Sequence, residues 1–245
     1  VSIGAIALPL VGFGFVFVLS KKKNYQHWGY FIIGFAVLFM GLQFLKDTVP
    51  DIRQNPEILA FLAEYTSLGF ASVLLFLFIG TVLTLIVQSS SATMALTLLM
   101  TFEGWIPFDM AAAMVLGENI GTTITANLAS LVANYQAKRA ARAHLIFTLL
   151  GVAWMLILFY PFLRVIDAMV IQLEGASPFL VTAAIPVALS LFHTTFNIIN
   201  TAVLIGFVNT IARLVERIVP AVAEPTAEID QPRFLSKASL EYPQT

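Results

Sequence analysis

Residues 68–102 read LGFASVLLFLFIGTVLTLIVQSSSATMALTLLMTF, and no charged side chain falls anywhere from 65 to 102. As one helix those 38 residues would extend ~57 Å, nearly twice the roughly 30 Å hydrocarbon core of a bilayer, so the run must fold back. The break is visible at Gln88-Ser89-Ser90-Ser91. Before it lies a full-length apolar arm, and after it the arm SATMALTLLMTF has only 12 residues, too few to span. The expected structure of 68–103 is therefore a re-entrant hairpin with a polar tip inside the membrane. Two full spans would preserve the same sidedness, and the shortness of the second arm is what separates the two arrangements.

The rest of the 245-residue chain agrees with a membrane setting, since 59% of its residues are hydrophobic and only 11% are charged. Charge-free gaps also cover 1–20, 24–45, 119–137, 143–163 and 175–212, most of them close to the length of a transmembrane helix. A net charge of -1 leaves no basic surface for nucleic acid. The absence of cysteine removes thiol catalysis, thiolate metal sites and disulfides. The opening VSIGAIALPL has neither an initiator Met nor a basic leader and reads as a cut through a longer protein.

Sidedness follows from the basic clusters Lys21-Lys22-Lys23 and Lys138, Arg139, Arg142, which the positive-inside rule puts in the cytoplasm, while the net acidic stretch Lys46 to Glu64 lies outside. Spans are expected at about 4–20, 29–45, 145–162 and 179–208, with a short amphipathic piece carrying Arg164, Asp167 and Glu174 outside. Residues 109–135 are expected to form a broken helix, because Glu118-Asn119-Ile120-Gly121-Thr122-Thr123 interrupts an apolar stretch with charge, glycine and hydroxyls. From Pro220 onward, prolines and mixed charges read as a cytoplasmic linker over 220–245. The fold class is thus all-α and polytopic.

Three polar constellations sit where hydrocarbon would otherwise be. The first is QSSSAT, comprising Gln88, Ser89, Ser90, Ser91 and Thr93. Its hydroxyls can meet an oxyanion or a sodium ion, and a helix starting near Ser91 would aim unpaired N–H groups at an anion. The arm ending near Val87 would present carbonyls, hard ligands for a cation. The second, GENIGTTIT, offers Glu118, Asn119, Thr122, Thr123 and Thr125; the third, HTTFN, puts His193 and Asn197 on one helical face.

QSSSAT, then G-x-NIGTT about thirty residues on, then an H-x-x-FN helix resembles the second repeat of the type II sodium-phosphate cotransporter family, over residues 1 to about 220. On that resemblance residues 1–45 correspond to the end of a first repeat and 46–219 to the second. The resemblance implies half of an inverted-repeat transporter, whose phosphate and sodium sites form between two hairpins each tipped by QSSS. Only one QSSS occurs here, so the other half of the site would come from a missing N-terminal repeat, a second polypeptide or a paired copy of this chain. By itself the chain is expected not to transport. The resemblance further implies that Gln88, Ser89, Ser90 and Ser91 contact phosphate, with Asn119, Thr122 and Thr123 opposite. Sodium is expected at Gln88, Ser90, Thr93, Glu118, Thr122 and Thr125, and a supporting place falls to His193 and Asn197. Glu118 departs from the small residue expected there in animal members. No cofactor is implied beyond sodium as coupling ion, and the bacterial members lie in the inner membrane. The stretch after Pro220 is similar to a connector leading into a regulatory domain.

Other readings of the same residues stay open. Serine and threonine in membrane helices also bond the preceding turn. Glu118 could be a cation ligand, a proton carrier, or a structural partner of backbone donors or His193. The hydroxyls and amides do not name their anion, so another oxyanion, or export, fits equally. An intramembrane hydrolase using a serine with His193 is disfavoured, since there is no G-x-S-x-G elbow and no carboxylate placed to orient the histidine.

Overall fold

A computed structural model describes residues 3–48 and 64–221. Most of the expected outer segment at 46–66 and nearly all of the linker from 220 lie outside the described residues. Among the described residues there are helices and turns and no strand: α1 (Ile3–Val18), α2 (Lys23–Thr48), α3 (Phe70–Val87), α4 (Ser90–Phe102), α5 (Phe108–Ser130), α6 (Tyr135–Ile157), α7 (Phe159–Glu174), α8 (Ile185–Leu204) and α9 (Val208–Ile218).

Three helical stretches among these are long and apolar enough to cross a membrane: Phe70–Val87, Tyr135–Ile157 and Thr182–Ile218, the last including two short 3-10 turns. Their outward faces are oily. Ile86 is 74% exposed and Ile157 81%, an arrangement that suits lipid and would be costly in water. The chain is an all-α membrane protein.

The turn between α3 and α4 is two residues long. Gln88 ends α3 in the left-handed region (φ 56°), a conformation that glycine usually supplies, and its N–H bonds Thr84 O at 2.7 Å. Ser89 is then extended and caps α4, its hydroxyl accepting from Ala92 N at 3.3 Å. The chain reverses, as the contacts of α5 make plain. Gly80, Thr81 and Thr84 of α3 meet Met114, Gly117 and Gly121 of α5 in ascending order, so α3 and α5 run parallel and α4, which connects them in the chain, runs the opposite way. Accordingly Thr66, ahead of α3, and Thr101 and Gly104, at the end of α4, line one cavity of about 460 Å³.

The break expected within 109–135 is not present: α5 is one continuous helix from Phe108 to Ser130. Its glycines make a packing seam instead of a break. Gly117 and Gly121 are four apart and face α3, where a Cβ on Gly117 would fall on the Leu77 carbonyl and one on Gly80 on the Met114 carbonyl. Thr81 Oγ1 reaches Gly117 O at 3.0 Å across the seam. The threonines are satisfied within the helix, Thr122 donating to Glu118 O (2.9 Å), Thr123 to Ile120 O (2.8 Å) and Thr125 to Thr122 O (2.7 Å). A polar run in lipid needs no broken backbone when every hydroxyl bonds its own preceding turn.

The span expected at 145–162 is also redrawn. α6 starts at Tyr135, with Asn134 accepting from Ala137 N at 2.9 Å as its cap, and helix geometry lapses at Leu158 (φ -100°) before α7 begins. Pro161 explains the lapse, because it has no N–H for the Ile157 carbonyl four residues back. The amphipathic piece with Arg164, Asp167 and Glu174 belongs to α7, whose Leu163, Ile166 and Val170 are buried. The helical stretch that holds the last span runs on past 208, to Ile218, through a 3-10 turn at Ile205–Phe207 into α9, which carries Arg213, Glu216 and Arg217.

α6 and α8 are antiparallel. Asn200 fits against Gly151 and accepts from Trp154 Nε1 at 3.0 Å, and Phe192 stacks on Phe196, which lies against Trp154. Arg139 closes the far end, donating to Val219 O at 2.9 Å with Glu216 3.8 Å away. At the centre α5 is buried all round from Met110 to Leu116. Close van der Waals packing around that helix holds the bundle, since lipid gives apolar side chains no reason of their own to associate.

Candidate functional site

The tip of the hairpin, the middle of α5 and the face of α8 converge on a cavity of about 300 Å³, lined by Ser90, Ser91, Met94, Glu118, Asn119 and His193. Residues from all three polar constellations thus meet at one place, although they are scattered over more than a hundred positions of sequence. Each is positioned by a different device. Ser90 and Ser91 open α4, and the Ser89 cap fixes where the helix begins. Glu118 and Asn119 lie between Gly117 and Gly121, whose close approach to α3 sets the height and rotation of α5. His193 is carried on α8, one residue beyond the buried Phe192.

Donors dominate this cavity. The first N–H groups of a helix have no partner in their own helix, so the start of α4 offers them to whatever occupies the space. Neither Ser90 nor Ser91 makes a side-chain hydrogen bond among the described residues. Asn119 Nδ2 is buried and has no hydrogen-bond partner there, an expensive condition in an apolar surrounding. Glu118 supplies the acceptor. It is 2% exposed, and its Oε1 accepts from Thr97 Oγ1 at 2.8 Å. Of the structural partners expected for Glu118, backbone donors or His193, neither is the one found.

Several sequence-derived candidates lie off the cavity. Gln88 is exposed at the turn. Thr93 is fully buried and donates to Ser89 O at 3.0 Å, while Thr122, Thr123 and Thr125 make the backbone bonds described above. A hydroxyl that has given its proton to a carbonyl cannot donate to an anion, but its lone pairs can still ligate a cation. Asn197 does not reach the cavity; its Nδ2 donates to His193 O at 2.8 Å.

Sequence reading missed Thr97 and Met94. The signal for Thr97 was present in the spacing of Thr93, Thr97 and Thr101, one turn apart and all fully buried, which makes a polar stripe on an otherwise apolar helix. A second polar junction, nearer the basic end, was also missed: Asn127 Nδ2 donates to Thr123 O and Ala141 O, and Arg142 Nη1 donates to Asn127 Oδ1.

Comparison with known proteins gives a consistent picture. The family model described as Na+/Pi-cotransporter matches residues 1–47 and 56–164, more than half of the chain. YqeW of Bacillus subtilis (strain 168) is 30% identical over 215 residues, covering 86% of this chain and 64% of that protein. The protein of Escherichia coli (strain K12) called "Putative inorganic phosphate export protein YjbB" is 27% identical over 235 residues, covering 96% of this chain and 40% of that protein. Its namesake in Salmonella typhimurium is 26% identical over the same length. The chain therefore spans less than two thirds of these relatives. No solved structure matches it significantly.

Proposed function

Because the chain belongs to the Na+/Pi-cotransporter family, we propose that in its full-length protein it carries inorganic phosphate across a bacterial inner membrane, coupled to sodium, with phosphate bound in the cavity between α4, α5 and α8. The observation that carries this reading is Asn119, which lines the same cavity as the start of α4 and whose Nδ2 is a buried donor without a partner among the described residues. A phosphate oxygen satisfies that donor, and the Ser90 and Ser91 hydroxyls and first-turn N–H groups supply the rest of an anion cradle.

Sodium coupling has a physical reason. Among the described residues no Lys or Arg lines the cavity, so an anion taken out of water needs co-bound cations to offset its desolvation. Thr122, Thr125 and Thr93, with their protons committed to carbonyls, are suited to ligate sodium, as are last-turn helix carbonyls of the kind that end α3. The second side of the site is assigned to the other QSSS hairpin that the family resemblance implies, from a first repeat or a paired copy. The basic residues Lys138, Arg139 and Arg142 of α6 and Arg213 and Arg217 of α9 gather at one end of the bundle, and the positive-inside rule makes that end cytoplasmic. The YjbB name concerns export; a coupled cycle runs either way, with net direction set by the combined gradients. The family is one of transporters, so this chain is not an enzyme.

The test is phosphate flux into vesicles containing the full-length protein, with and without a sodium gradient. Wild type is expected to require sodium, and Asn119→Ala to lose most of the flux at unchanged expression. Sodium-independent flux, or full activity of the variant, would refute the proposal.

A further inference from the structure

The reading of the cavity as a phosphate site, on which this inference rests, leaves Glu118 to be explained. A carboxylate facing an oxyanion repels it and cannot hydrogen-bond it unless a hydrogen or a cation stands between them. Glu118 is not a mobile surface group that could swing away. It is 2% exposed, and its Oε1 is tied by Thr97, itself fully buried on α4, at 2.8 Å. Glu118 is therefore held in the wall of a cavity that Ser90, Ser91 and Asn119, which bring hydroxyl and amide donors, line together with Met94 and His193. Such a wall is complementary to a ligand that has several acceptor oxygens and one donor hydrogen.

We propose that Glu118 is a specificity-determining residue: it accepts the O–H hydrogen of a protonated oxyanion, so the site takes hydrogen-bearing anions of the phosphate and arsenate type and rejects those without a hydrogen, such as sulfate. Thr97 is the positioning residue that holds the carboxylate for this contact. The chemistry is one-sided in a useful way. Hydrogen phosphate gives Glu118 its hydrogen while its remaining oxygens accept from Asn119 and α4. Sulfate, equal in size and charge, offers only oxygens and leaves the buried carboxylate facing a bare anion. Sites built around a substrate O–H reject analogues lacking it by on the order of 10⁴-fold, because the buried partner is left unpaired.

Competition with radiolabelled phosphate for binding to the purified full-length protein in sodium decides this. Arsenate is expected to compete; sulfate and monofluorophosphate, which has the charge of hydrogen phosphate without its hydrogen, are expected to fail. Glu118→Gln replaces the acceptor oxygen with a donor amide of the same shape, and should bring sulfate and monofluorophosphate into competition, narrowing the discrimination by at least ~10-fold. Monofluorophosphate competing like arsenate on wild type would overturn the proposal, and that arm holds even if the variant does not fold. So would a Glu118→Gln protein with shifted sodium dependence and unchanged anion ranking, which would make Glu118 a cation ligand. A wild-type protein that binds phosphate yet fails these arms leaves the phosphate reading standing; one that binds no oxyanion removes that reading itself.

Discussion

Thr97 and Glu118 are 21 positions apart in sequence and joined at 2.8 Å, the hydroxyl of one donating to the carboxylate of the other across the contact between α4 and α5. This bond ties the short returning arm of the hairpin to the central buried helix. It also fixes a charge-capable group at the wall of a cavity that, among the described residues, no Lys or Arg lines.

Removing the donor should therefore cost both stability and function. Thr97→Val keeps the shape but leaves a buried carboxyl oxygen without its partner, a loss of about 1–3 kcal/mol. Thermal denaturation of the purified protein is expected to show a lowered midpoint for Thr97→Val and near-complete recovery in Thr97→Ser. Equal midpoints for valine and threonine would mean that the bond contributes nothing.

The glycine seam gives a sharper contrast. A methyl on Gly117 or Gly80 would fall on an opposing carbonyl, forcing α3 and α5 apart, whereas a methyl on Gly12 or Gly34 meets nothing within 4 Å. Gly117→Ala and Gly80→Ala should each destabilise by about 1–3 kcal/mol or more, as overpacking does. Gly12→Ala and Gly34→Ala serve as neutral controls in the same melting assay.

These two sets of residues also mark what the sequence made legible. The reversal at Gln88 to Ser91 could be read, because a charge-free run too long to span has to turn and polar residues show where. The continuity of α5 could not. Glycine and threonine inside an apolar stretch signify a break when their backbone is freed, and a close helix seam when it is not. Which holds depends on whether α3 lies alongside, a tertiary fact that Gly117 and Gly121 do not disclose alone. Glu118 and Asn119 were identifiable as unusual, but their meeting with His193 required the antiparallel return of α8. Thr97 stood out only as one of the stripe Thr93, Thr97 and Thr101, and its role depends on the buried partner that the packing of α4 on α5 supplies.

The hairpin carries a topological prediction. Ser67 precedes α3, Pro107 precedes α5, and residues beside both line the same cavity, so cysteines at these two positions should be labelled from the same side of the membrane. Ala133, beyond the opposite end of α5, should be labelled from the other side. The chain has no native cysteine to confuse the result. Ser67 and Pro107 reacting from opposite sides would be incompatible with this fold.

The proposed sodium and phosphate roles part at Thr122. Its proton is spent on Glu118 O at 2.9 Å, so its oxygen can serve sodium and cannot donate to phosphate. Thr122→Val is expected to raise the sodium concentration needed for half-maximal uptake, with the phosphate KM at saturating sodium unchanged. Ser90→Ala should do the reverse, raising the phosphate KM. A rise in phosphate KM alone for Thr122→Val would reassign that residue to the anion.

If phosphate occupies the cavity bounded by Ser90, Ser91 and Asn119, a cysteine placed in its wall reports the occupancy. In the full-length protein carrying Ser91→Cys, the rate of modification by a small polar thiol reagent, measured in sodium, should fall several-fold as phosphate is raised through its transport KM. A rate indifferent to saturating phosphate, in a variant that still takes phosphate up, would contradict the account.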